Sequence, residues 1–111
     1  MPKLKSGKPE KKLSNELFEA IAAALKSKNY YFTDHALKRS KQRKNVSEFQ
    51  IIELLESRSK YHESKKDSFD ENFRNWNYSI RGKSIDAEDI RIILSFDKDL
   101  MLVITVINLN K

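Results

Sequence analysis

Residues 90–107 read IRIILSFDKDLMLVITVI. Ile90, Ile92, Leu94 and Phe96 alternate with Arg91, Ile93 and Ser95, which is the two-residue period of a half-buried strand. Asp97-Lys98-Asp99 is a tight polar link. Leu100 to Ile107 is almost wholly apolar, as expected of a central strand covered on both faces. Upstream, Trp76, Tyr78 and Ile80 alternate with Asn75, Asn77, Ser79 and Arg81, a second half-buried strand. The polar stretch Gly82 to Asp89 reads as the turn between them. Lys60 to Glu63 reads as a short edge strand, and Lys65 to Asn72 as a polar loop.

Before residue 58 the period is helical. Leu17, Ile21, Ala24 and Leu25 recur at helical spacing, with Phe18 beside them, and predict a core-facing helix from Ser14, its expected N-cap, to Ser27. Tyr30-Tyr31-Phe32 reads as an aromatic link. Thr33 or Asp34 then caps a second helix, Asp34 to about Lys44. Five of its eleven residues are cationic (Lys38, Arg39, Lys41, Arg43 and Lys44), so this helix cannot be mostly buried. Ser47 to Gln50 is a capping-box pattern and opens a third helix that ends near Ser57. Helices followed by an antiparallel meander predict an α+β fold, with the helices on one face of a small curled sheet.

The chain has 111 residues, enough for one domain with one core. Residues 1–12 hold both prolines, one of the two glycines and several lysines with a single acid, and read as a disordered basic tail. Residues 13–111 read as the domain. The formal charge is +6, which favours anionic partners such as nucleic acid or an acidic protein. There is no cysteine, which removes disulfide frameworks and thiolate chemistry and fits a reducing cytoplasm. No apolar stretch approaches the ~20 residues of a membrane span, and no signal peptide is expected.

His35, Arg39 and Arg43 stand at i, i+4 and i+8, one stripe along the second helix. Two guanidiniums in a line suit successive phosphates, and histidine can exchange a proton near neutrality. The same spacing also describes a solvated cationic face. On the strands, Arg81 and Arg91 oppose the apolar positions. Thr105 interrupts the last strand and shares parity with Met101 and Val103. Such groups could line one sheet face and bind phosphate, with Tyr78 stacking a base and Lys38, Arg43 and Arg91 holding the backbone. Trp76 and Tyr78 suit core packing better than base stacking. His62, the second histidine, reads as edge-strand or surface decoration. No phosphate-binding glycine loop, closely spaced metal-ligand set or nucleophile elbow is present, so the chemistry suggested is metal-free and cofactor-free.

Residues 31–39, YFTDHALKR, resemble the F-[ST]-x-H-A-x-x-R opening of small bacterial toxin-like domains close to the RelE and BrnT toxins. Arg43, Val46-Ser47 and the terminal Val103-Ile104-Thr105-Val106 continue the match. The resemblance implies the barnase–EndoU–colicin–RelE fold and, for many relatives, ribonuclease activity. The expectation is therefore a cytoplasmic, metal-independent RNA endonuclease, the toxin of a toxin–antitoxin or competition system. His35, Arg39, Arg81 and Thr105 are its candidate catalytic residues, and an acidic antitoxin or immunity protein is its expected partner. The alternative is a non-catalytic module that binds nucleic acid or an acidic protein.

Overall fold

The computed structural model describes residues 9–42 and 46–110. Among these, α1 spans Ser14–Ser27, α2 Asp34–Gln42 and α3 Glu48–Glu56. The strands are β1 (Tyr30–Phe32), β2 (Tyr61–His62), β3 (Ser68–Asp70), β4 (Asn75–Lys83), β5 (Asp89–Asp97) and β6 (Leu100–Asn108). They form one sheet in the order β1-β6-β5-β4-β2, with β3 also on the outer edge of β4. Helices on one face of a curled sheet are as the sequence predicts, but the sheet is mixed rather than antiparallel. Tyr30–Phe32, read as a link, is a strand that runs parallel to β6. The expected loop after Lys65 also contains a strand, β3, preceded by a 3-10 turn at Ser64–Lys66.

The helices form where apolar periodicity and caps coincide. In α1, Leu17, Ile21 and Ala24 face the core and are buried. Its N-cap is Leu13 rather than Ser14, and the Glu16 carboxylate accepts a hydrogen bond from the Leu13 N–H at 2.9 Å. α2 is capped by Thr33, whose Oγ1 accepts from the Ala36 N–H at 3.1 Å and donates to the Ile104 carbonyl at 3.1 Å. That second bond ties the start of α2 to β6. The expected end of α2 near Lys44 lies outside the described residues. α3 has the predicted capping box, with Ser47 Oγ accepting from Gln50 and Gln50 Oε1 accepting from the Ser47 N–H.

The core lies between these helices and one sheet face. Ile80, Ile90, Ile92, Leu94, Met101, Val103 and Val106 are fully covered there, against Leu17, Ile21, Ile51, Leu54 and Leu55. Gly82 belongs to this face because α3 presses on it. A Cβ at that position would stand 3.2 Å from Leu54 Cδ2. Residues 9–12, placed in the tail by sequence, are held against β4. The Lys12 N–H donates to the Tyr78 hydroxyl, and Trp76 Nε1–H donates to the Pro9 carbonyl at 2.8 Å. Residues 1–8 lie outside the described part of the chain.

Among the described residues the opposite sheet face carries no helix. β6 is therefore covered on one side only, and Leu102, Ile104 and Ile107 on the other side are half-buried. A bulge shapes this face. Ile93 pairs with Thr105 but Leu94 pairs with Val103, so Ile104 is an extra residue on β6. Side-chain parity flips across it. Thr105 consequently leaves the face of Met101 and Val103, where simple alternation put it, and joins the open face beside Ile93.

Candidate active site on the open sheet face

Arg81 and Arg91 stand directly opposite each other on β4 and β5, both on the open face. Glu63, just after β2, reaches between them. Arg91 Nε donates to Glu63 Oε1 at 2.6 Å and Nη2 donates to Oε2 at 3.0 Å, a two-pronged pair. Arg81 Nη1 donates to Glu63 Oε2 at 3.3 Å, while its Nε and Nη2 donate to the two Asp89 oxygens at 3.0 and 2.6 Å. The buried Ser79 hydroxyl donates to Glu63 Oε1 at 2.7 Å. The Glu63 side chain is 9% exposed. Two cations and two anions thus form a charge-balanced, hydrogen-bonded cluster.

These bonds set the protonation states. The hydrogen bond from Arg91 is the main cause that lowers the Glu63 carboxyl to a pKa of about 2. Burial opposes this, and Ser79 and Arg81 add to the lowering. Asp89 is lowered chiefly by Arg81, Arg81 is raised chiefly by Asp89, and Arg91 is raised chiefly by Glu63. Near neutrality the cluster holds an ionised carboxylate between two guanidiniums, at a surface no helix covers. Such a set can stabilise a phosphate dianion and accept a proton without a metal. No group of three or more metal-ligating side chains occurs among the described residues.

The other candidates are dispersed. Thr105 is on the open face, across Ile93 from Ser79. His35 and Lys38 are exposed on α2, and His35 makes no hydrogen bond or ion pair among the described residues. α2 packs against β6 and β1. Two strands therefore separate the His35 end of the sheet from Arg81 on β4, at ~4.8 Å per strand step. Arg39 lies one turn further along α2, and Arg43 is outside the described residues. Tyr78 is not a stacking platform. It is 3% exposed on the helix-covered face, with its ring edge-on to His62.

Sequence reasoning missed Glu63 and Asp89, and it placed His62 on the edge strand, where it stands, without its burial. Glu63 was legible only as the end of an edge strand, because its partners come from strands 16 to 28 residues away. His62 is not surface decoration. Its side chain is 2% exposed, between Phe18 and Tyr78. Asp67 can only accept, so Nε2–H donates to Asp67 Oδ2 at 2.7 Å, and Nδ1 meets the Ser14 hydroxyl at 2.7 Å. Asp67, fully buried, also accepts from the Ser79 N–H and from Lys11 Nζ at 3.0 Å each.

The fold and this face define a small α+β domain with a metal-free carboxylate–arginine cluster on an uncovered sheet. Within that class the chain belongs to the family DUF4258, a domain of unknown function, which matches residues 32–108. The matched span begins just before the His35 stripe and ends with β6, so it takes in every residue of the cluster. No curated protein and no solved structure matches the chain. No helix among the described residues is long and apolar enough to cross a membrane.

Proposed function

We propose that this chain is a metal-independent RNA endonuclease, acting as a bacterial toxin restrained by an acidic partner. The observation that carries the reading is Glu63, held ionised between Arg81 and Arg91 on the open face. In the proposed reaction the RNA 2′-hydroxyl attacks its neighbouring phosphorus, its proton passes to Glu63, and the 5′-oxygen leaves. The products are a 2′,3′-cyclic phosphate and a 5′-hydroxyl end. A carboxylate with a pKa of about 2 is a weak base. A phosphate entering between the guanidiniums would compete for the donors that depress it, and this raises Glu63 toward a useful range. Arg81 and Arg91 stabilise the charge that develops on phosphorus. The leaving 5′-oxygen takes its proton from water, because His35 stands across the sheet from the cluster. His35 and Lys38, exposed on α2, are proposed to meet the RNA backbone further along, and Thr105 lies on the open face with the cluster.

The test is cleavage of a mixed RNA in EDTA, with the products analysed for cyclic phosphate. Glu63→Gln is expected to lower the rate by about 10² or more and His35→Ala by about ten-fold or less, with the melting curve as a folding control. RNA that stays intact but bound, in a salt-sensitive way, overturns the nuclease reading in favour of a binding module.

A further inference from the structure

Further along the same open face, toward the β5–β6 turn, the sheet forms a groove of about 380 Å³. Its lining differs in kind from the arginine cluster. Leu102 and Ile104 make an apolar floor, Asn75, Asn77, Ser95 and Thr33 present amides and hydroxyls, and Asp70 and Asp97 present carboxylates. Among the described residues no lysine or arginine lines it, and its carboxylates disfavour a phosphate. Ser95 is 4% exposed, yet its hydroxyl makes no hydrogen bond among the described residues and reaches the groove. The hydroxyl is thus open to the groove alone, free to bond whatever occupies it. The Asn77 amide and the Asp97 carboxylate are also without hydrogen-bond partners among the described residues. Asp70 uses only Oδ1, which accepts from the Asn72 and Phe73 N–H groups. Phe73, 82% exposed at the rim, offers an aromatic face.

We infer that this groove is a nucleobase subsite selective for guanine. The inference rests on the nuclease reading for its substrate, RNA. Carboxylates only accept, so the ligand must donate. Guanine presents N1–H and its 2-amino group side by side, a pair that matches the two oxygens of one carboxylate. Adenine and cytosine each offer a single amino group. Uracil offers one N–H flanked by carbonyls, which carboxylates repel. Asn77 and Ser95 can donate to the acceptors on the other edge of the purine, and Phe73 can stack on its face. Ser95 is four residues from Arg91 on β5, about 13 Å of strand, so a base in the groove and a phosphate at the arginines fit one short RNA segment.

The experiment is titration of the whole chain with GMP and UMP, followed by amide chemical shifts. The two ligands share a phosphate, so their ratio isolates the base. GMP is expected to bind at least about ten-fold more tightly, with shifts at Ser95, Asn77 and Asp97. Asp97→Asn and Ser95→Ala should each erase most of that preference while leaving UMP binding and the melting curve unchanged. Equal affinity for GMP and UMP, or a preference untouched in Asp97→Asn, overturns the subsite. Displacement of GMP by arginine amide at equal or lower concentration also overturns it, because the groove would then be a cation site. RNA cleavage with no preference for G sinks the subsite alone, whereas GMP selectivity with RNA left intact supports the subsite and sinks the nuclease.

Discussion

His62 and Glu63 are consecutive residues, yet they anchor two networks that share almost no property. His62 turns to the helix side and meets Ser14, Asp67, Phe18 and Tyr78, with its side chain nearly buried. Glu63 turns to the bare side and gathers Arg91, Arg81 and Ser79 within reach of solvent. Ser79 touches both, its N–H to Asp67 and its hydroxyl to Glu63. The first network has the form of a structural joint, which fastens α1 and residues 9–12 to β2 and the turn that follows it. The second uses charge at a surface that the helices leave free. One sheet therefore separates a buried joint from a charged surface cluster, residue by residue, through strand alternation.

The contrast can be broken most strongly in the apolar rows beside these networks. Ile92 is fully buried and its neighbour Ile93 is half-buried on the open face. Ile92→Ala should cost about 4 kcal/mol in chemical denaturation, and Ile93→Ala about 1 kcal/mol. Equal costs would mean that something covers the open face. Next in size is Asp67→Ala, at about 3 kcal/mol. It strands the His62 donor, the Ser79 N–H and the Lys11 ammonium together, and the first two are buried. On the open side the corresponding effect is a pH dependence. Glu63 titrates at about 2 when folded and near 4.3 when unfolded. Its stabilisation is therefore complete above about pH 4.5 and is lost as pH falls toward 2. After solvent screening the loss should be about 1–2 kcal/mol. Glu63→Gln should flatten that part of the stability–pH curve. An unchanged curve would show that the arginines do not hold Glu63 in solution.

What the sequence disclosed follows the same division. The covered face was legible because burial writes itself as periodicity: Leu17, Ile21 and Ala24 in α1, and Ile90, Ile92 and Leu94 in β5. The Ser47–Gln50 cap was legible because both its partners are local. The open face was half legible. Alternation marked Arg81 and Arg91 as outward residues, but Glu63 and Asp89 join them only through strand pairing, which no local pattern encodes. Thr105 was assigned to the wrong side because one extra residue, Ile104, inverts parity with no trace in composition. β1 was hidden because three aromatic residues are too few for a period, and its partner β6 lies some 70 residues away.

The smallest test concerns the outer end of the His62 network. Ser14 is exposed although its hydroxyl meets a nearly buried ring nitrogen. If His62 depends on Asp67 for its orientation and on Ser14 only for its last hydrogen bond, water can replace the hydroxyl in Ser14→Ala. The expected cost is then about 0.5–1 kcal/mol, near the net worth of one hydrogen bond. The double variant with Asp67→Ala measures whether the two ends act together. Additive costs would leave Asp67 as the joint and Ser14 as its solvent-side cover. A Ser14→Ala cost that rivals Asp67→Ala, and largely disappears once Asp67 is already gone, would make the three residues one cooperative unit. The helix start would then be as much a part of the joint as the buried carboxylate, and the boundary between the two faces would lie at α1 itself rather than at the sheet.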